Sequence, residues 1–119
     1  GVVGWTDWNI LLDERGGPNH VQNFCFAPIH ADTKTGELTF TPTYYYIGHF
    51  SKFIKPGAFR VSTTSSRSSL ESTSFKNKDG KMITVVMNKT DNTIGYKLIV
   101  GSSETFLNIR PHAMQTIIY

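Results

Sequence analysis

The sequence contains one cysteine, Cys25, in 119 residues. A single cysteine excludes an internal disulfide and a cysteine-rich metal site, and its place between Phe24 and Phe26 predicts a small buried apolar side chain. No apolar run approaches the roughly 20 residues of a membrane-crossing helix. The first residues lack the basic start and apolar stretch of an export signal and no initiator Met is present, so we expect a piece of a longer protein.

The sequence also has only a small excess of basic over acidic side chains. Twelve basic and nine acidic side chains give a net charge of +3, and the lysines are scattered without a dense block, so we expect no nucleic-acid partner. The four histidines show no H-x-x-x-H spacing, and no G-x-S-x-G elbow occurs. We therefore predict no metal site and no cofactor.

The C-terminal half carries β patterns. From residue 58 onward, β-branched and alternating residues are interrupted by turn signals about every eight to twelve positions, which favours a sandwich or barrel. Asp79-Gly80 predicts a tight hairpin, and the apolar run 82–87 predicts a central strand. The triplet Asn88-Lys89-Thr90 fits the N-glycosylation pattern, although a turn explains it equally well. We predict strands at 58–65, 70–76, 81–88, 94–100, 104–109 and 112–119.

The N-terminal half combines a strand, a loop and one helix. "VVGW" at 2–5 predicts a short strand, and the glycines and proline of "LLDERGGPNHVQNF" predict a long irregular loop over 11–24. Loops longer than about 12 residues are usually functional or disordered. Short strands are predicted at 28–32 and 37–40, around a turn at Gly36. A helix over 42–55, capped by Thr41, presents one apolar face: Tyr46, Ile47, Phe50, Phe53 and Ile54.

Four long motifs, in order, resemble one enzyme family. They are "VVGWTDWN", "GGPNHVQNF", "PIHAD" and "YYYIGHFSKFIKPGAFRV", and they are similar to the C-terminal part of glycoside hydrolase family 30 enzymes of the glucosylceramidase type. The resemblance implies a mainly β chain, in which the last βα unit of a (β/α)8 barrel precedes an antiparallel, immunoglobulin-like β-sandwich. The barrel part would occupy residues 1–56, with its last strand at 2–8, and the sandwich residues 57–119.

The resemblance also implies a substrate site. Barrel enzymes build their sites at the C-terminal ends of the strands, so Trp8 would face a sugar pocket while Trp5 packs in the barrel. Asn23 and Phe24 would line the pocket entrance. An indole face can cover the apolar surface of a pyranose. The residues alone leave open that both tryptophans belong to a core.

The catalytic acids of the family are not expected in this chain. Retaining glycosidases need two carboxyl groups about 5 to 5.5 Å apart, and the resemblance places them on barrel strands four and seven, ahead of residue 1. Asp7 is better interpreted as an orienting acid. We therefore predict no catalytic residue and no hydrolysis by the isolated chain. Three glutamates lie beside predicted turns or on predicted sandwich strands, which is the wrong setting for the catalytic acids: Glu37, Glu71 and Glu104.

Two hypotheses remain for function. The first is the C-terminal part of a retaining β-glycosidase, whose partners are a β-glucoside or glycolipid and the rest of the barrel, in an extracellular, periplasmic or lysosome-like location. The second is a stand-alone carbohydrate-binding β-sandwich, with Tyr44, Tyr45 and Tyr46 as stacking candidates. Adjacent helical residues point about 100° apart, which weakens that idea. A third possibility is a fragment that does not occur alone, in which an open barrel strand and unpaired sandwich edges would expose apolar surface and favour self-association.

Overall fold

The computed structural model describes residues 2 and 4–119. The chain forms two compact units, residues 1–47 and residues 48–119. No helix in the described ranges has the length and apolarity to span a membrane. The elements are β1 (Leu11–Asp13), β2 (Ile29–Ala31), β3 (Leu38–Phe40), α1 (Pro42–Ser51), β4 (Phe59–Val61), β5 (Leu70–Lys76), β6 (Met82–Asn88), β7 (Ile94–Val100), β8 (Ser103–Ile109) and β9 (Met114–Ile118).

The first unit contains a three-stranded sheet in the order β1-β2-β3. β1 and β2 are parallel, with Leu12 opposite His30, and β2 and β3 are antiparallel. Gly36 has a φ of 76° in the turn between β2 and β3, which a residue without Cβ adopts readily. The two predicted short strands and their turn are therefore confirmed.

The N-terminal strand prediction was wrong in position. Val3 lies outside the described residues, and none of the described residues from 2 to 8 is in a strand. The strand is instead β1 at Leu11–Asp13, inside the segment predicted to be irregular. Its hydrogen-bonding partner β2 lies 18 residues further along the chain, and a parallel pairing of that kind leaves no local turn signal in the sequence.

Helix α1 begins at Pro42 as predicted and ends at Ser51, four residues earlier than predicted. Thr41 does not act through its side chain as the predicted cap. It is buried, and its hydroxyl donates to the carbonyl oxygens of Ala27 and Pro28. The predicted apolar face is only partly covered, since Phe50 remains 38% exposed.

The second unit is an antiparallel sandwich. One sheet has the order β4-β5-β6-β9, and the other is the β7-β8 hairpin. Leu70, Val86 and Ile109 form its buried core. The predicted central strand is confirmed, because β6 pairs with both β5 and β9 and buries Ile83, Thr84, Val85 and Val86.

Turn chemistry determines where the sandwich strands stop. Gly80 has a φ of 87° and donates to the carbonyl of Asn77, which confirms the Asp79-Gly80 hairpin. β4 is shorter than the predicted strand 58–65. The Ser65 hydroxyl bonds to both the backbone N–H and the carbonyl of Arg67, and such local bonds compete with strand pairing.

Candidate functional site

The β1–β2 loop, residues 14–28, is a structured connection that begins with a tight turn at Asp13. The Asp13 carboxylate accepts hydrogen bonds from the backbone N–H groups of Gly17, at 2.7 Å, and Arg15, at 2.9 Å. The Gly17 bond is the main reason that the pKa of Asp13 lies below its usual range. Ionised Asp13 therefore stabilises the start of the loop.

Gly16 allows the two arms of the loop to meet. Its φ is 84°, and its carbonyl accepts from the N–H of Cys25 at 3.0 Å. A Cβ at this position would collide with the Cys25 carbonyl oxygen. Cys25 is half-buried, not fully buried as predicted. Its thiol donates to the Asn23 carbonyl at 3.3 Å.

His30 connects both ends of the loop. The N–H of Ala27 donates to His30 Nε2 at 3.2 Å, so this nitrogen accepts, and Nδ1 then carries the proton that it donates to the Asp13 carbonyl at 2.9 Å. The Phe26 ring lies beside the imidazole at a centroid distance of 4.9 Å. The loop is thus held at its base by a neutral histidine tautomer.

Two of the predicted site residues, Asn23 and Phe24, lie next to each other on the far arm of this loop. Both are exposed, and the Phe24 ring has the Arg15 guanidinium 5.6 Å from its centroid. A cation at this distance from an exposed ring contributes an attraction of about 0.5–1 kcal/mol.

Trp8, the third predicted site residue, is not brought together with that pair. Its indole is 72% exposed, and its backbone N–H donates to the Asp7 carboxylate at 2.9 Å. No hydrogen bond or ring contact joins Trp8 to Asn23 or Phe24 within the described residues. Trp5 is 79% exposed, so neither tryptophan belongs to a core of this chain. The packing of Trp5 inside the barrel of the parent stays a prediction.

Three of the glutamates, Glu14, Glu71 and Glu104, are engaged in local interactions. Glu14 accepts from the N–H and hydroxyl of Thr33, and the backbone bond is the main cause of its lowered pKa. Glu71 pairs with Lys89 at 2.6 Å and Glu104 with Lys97 at 2.7 Å. No cluster of three or more potential metal ligands occurs among the residues that the structure describes.

The tyrosines of α1 do not form a flat stacking surface. The rings of Tyr44 and Tyr45 meet edge to face, with an interplanar angle of 88°. A pyranose stacks on a single broad aromatic face, and perpendicular neighbouring rings do not supply a continuous one. This geometry argues against a carbohydrate-binding platform at α1.

Comparison with known proteins identifies the family. Residues 1–54 match the Glycosyl hydrolase family 30 TIM-barrel domain, and residues 57–117 match the Glycosyl hydrolase family 30 beta sandwich domain. The chain belongs to glycoside hydrolase family 30. It is mainly β, with an antiparallel sandwich preceded by the end of a barrel.

Individual family 30 relatives span both eukaryotes and bacteria. The lysosomal acid glucosylceramidase of Mus musculus is 42% identical over 78% of this chain and 18% of its own length. The crystal structure of SrfJ from Salmonella typhimurium superposes with a TM-score of 0.90 at 35% identity, covering 95% of this chain and 25% of that one. A solved endo-β1,6-glucanase gives 0.81 at 25% identity, covering 92% and 25%. The chain spans about a quarter or less of the length of the curated relatives it matches.

Proposed function

We propose that this family 30 chain is the C-terminal part of a retaining β-glycosidase of the glucosylceramidase type, whose parent hydrolyses β-glucosidic bonds. Residues 1–56 would close the (β/α)8 barrel and supply one wall of the sugar pocket. Residues 57–119 would form the structural sandwich. The observation that carries the proposal is the match of consecutive segments to the two domains of one glycosidase family.

The exposed groups of the first unit suit a sugar pocket. Trp8 offers an uncovered indole face, and Asn23 offers a side-chain amide with no hydrogen-bonding partner among the described residues. Aromatic faces cover the C–H surface of a pyranose, while amides bind its hydroxyl groups. Phe24 would extend the apolar wall beside Asn23.

The chemistry itself would come from upstream residues of the parent. Retention requires a nucleophile and an acid/base about 5 to 5.5 Å apart. The ion pairs of Glu71 and Glu104 lie on sandwich strands β5 and β8, and Glu14 is bonded to Thr33. These bonds support a structural role for Glu14, Glu71 and Glu104, and the proposal assigns both catalytic acids to the upstream part of the parent.

The relatives suggest substrates and a location for the parent. The name of the mouse relative supports a lysosome-like compartment and a glucosylceramide-type glycolipid. The glucanase neighbour supports a β-1,6-glucan instead. Hydrolysis of glucosylceramide in detergent micelles, compared with release of glucose from β-1,6-glucan by the same full-length enzyme, separates these substrates.

The pocket assignment is tested by substitutions in the full-length parent, assayed on a nitrophenyl β-glucoside. Trp8→Ala and Asn23→Ala are expected to lower kcat/KM by about tenfold or more, because each removes a contact to the sugar. Trp5→Ala is the matched control, expected to lower the melting temperature while leaving kcat/KM of the folded enzyme unchanged. Equal kinetic effects at Trp5 and Trp8 would contradict the assignment.

A further inference from the structure

The side chain of Asn19 makes three hydrogen bonds within the β1–β2 loop. Its Oδ1 accepts from the N–H of Asn23 at 2.9 Å and from the N–H of Val21 at 3.2 Å, and its Nδ2 donates to the Asn23 carbonyl at 2.9 Å. One amide therefore engages both backbone polar groups of Asn23. Loss of the Asn19 amide would leave the backbone of Asn23 with only one of the hydrogen bonds that the structure describes, the one from the Cys25 thiol, and it would not alter the Asn23 side chain.

The side chain of Asn23 is left open by this arrangement. It is exposed, and it makes no hydrogen bond within the part of the chain that the structure describes. A fixed backbone with an uncommitted amide is the arrangement that a ligand-binding residue needs, because the geometry is set before the ligand arrives.

Backbone strain at the adjacent residue supports the same interpretation. Gln22 has a φ of 55°, a left-handed conformation that is uncommon for a residue with a long side chain. Such conformations persist only where neighbouring contacts hold them, and they concentrate at binding sites. The Asn19 bonds to Val21 and Asn23 flank Gln22 on both sides and provide that restraint.

We propose that Asn19 is a positioning residue, which fixes Asn23 so that its amide meets a hydroxyl group of the sugar. The inference rests on the proposed function, since it requires Asn23 to belong to the wall of the sugar pocket. Asn19 would contact no substrate. Its effect on hydrolysis would therefore pass entirely through Asn23.

A double-mutant cycle in the full-length parent tests this dependence, with a nitrophenyl β-glucoside as substrate. Asn19→Ala is expected to lower kcat/KM about tenfold, with the same division between kcat and KM as Asn23→Ala. In the Asn23→Ala background, Asn19→Ala should have no further effect, because the group that it positions is gone. Asn108→Ala, which truncates an exposed asparagine on β8, is the control expected to leave kcat/KM unchanged.

A conservative variant and a measurement other than kinetics distinguish a positioning role from misfolding of the variant. Asn19→Asp keeps the acceptor for Val21 and Asn23 but loses the donor, so its loss of kcat/KM should be smaller than that of Asn19→Ala. Hydrogen exchange of the Val21 and Asn23 amides in the same full-length protein should become faster in Asn19→Ala.

The outcomes separate the two proposals. A parent that does not cleave the glucoside would overturn the proposed function. Cleavage by the wild type with additive effects of the Asn19 and Asn23 substitutions would overturn the role of Asn19 alone. Unchanged amide exchange in Asn19→Ala would overturn it as well, whether or not the enzyme is active.

Discussion

Asn88 is a fully buried amide at the end of β6 that joins three segments of the sandwich. Its Nδ2 donates to the carbonyl oxygens of Asn92, Ile109 and Arg110, and its Oδ1 accepts from the N–H and hydroxyl of Thr90. A glycan on Nδ2 would replace one of the two hydrogens that make the donated bonds, on a side chain that is fully buried. The Asn88-Lys89-Thr90 triplet is therefore used as a structural turn.

Replacement of this amide by a carboxylate has a large expected cost. Asn88→Asp would place negative charge against three carbonyl oxygens in a site that is 1% exposed. We expect a loss of about 2 to 4 kcal/mol in the free energy of unfolding, because buried polar groups would lose their partners. Urea titration of the purified chain measures it, with Asn108→Asp as the exposed control. A loss no greater than that of the control would contradict the role assigned to Asn88.

The sequence predicts which single residues form turns, but it does not predict their distant hydrogen-bonding partners. Asn19 and Asn88 were readable as turn formers, since asparagine favours turns, but their partners were not. The bonds of Asn88 to Ile109 and Arg110 cross more than 20 positions. Asn19 bonds locally, and the spacing of Asn19 and Asn23 was a usable signal for a loop held by its own side chains.

At the scale of elements, the end of α1 contacts β9 through His49. The Nδ1 atom of His49 lies 2.8 Å from the Thr116 hydroxyl oxygen, and partial burial lowers the pKa of the imidazole. A histidine whose pKa is depressed on folding binds a proton more readily in the unfolded chain. Stability from this group is complete above the unfolded value of about 6.5 and decreases as the pH falls through the folded pKa.

Replacing His49 by a residue that does not titrate should reduce the pH dependence of the free energy of unfolding. His49→Asn is expected to lose less stability than the wild type between neutral and mildly acidic pH, because asparagine takes up no proton. Denaturation midpoints of the purified chain measured across that range provide the test. Parallel slopes for His49→Asn and the wild type would rule out His49 as the source.

Elements with local signals were predictable from the sequence, and those with distant partners were not. β5, β6 and the Asp79-Gly80 turn were predicted closely, because alternation and hairpin chemistry are local properties. β1 was missed because its strand character depends on pairing with β2. Trp8, Asn23 and Phe24 stay predictions as site residues, since the family resemblance supplied them.

At the scale of the whole molecule, large apolar side chains lie exposed in both units. They include Trp5 and Trp8 in the first unit and Phe106 in the second. We infer that further residues of the parent cover part of this surface.

Without that cover, the purified chain is expected to self-associate. Exposed apolar side chains and unpaired strand edges both favour contacts between copies. Sedimentation velocity over a wide concentration range should show a weight-average coefficient that increases with concentration. A single species with the mass of one chain at every concentration would contradict the expectation.

The most direct test of the account compares nitrophenyl β-glucoside hydrolysis by the purified 119-residue chain and by its full-length parent. The account predicts turnover by the parent and a rate indistinguishable from buffer for the chain, because the chain would supply a pocket wall but no pair of catalytic acids. Turnover by the chain at a rate comparable to that of the parent would contradict it.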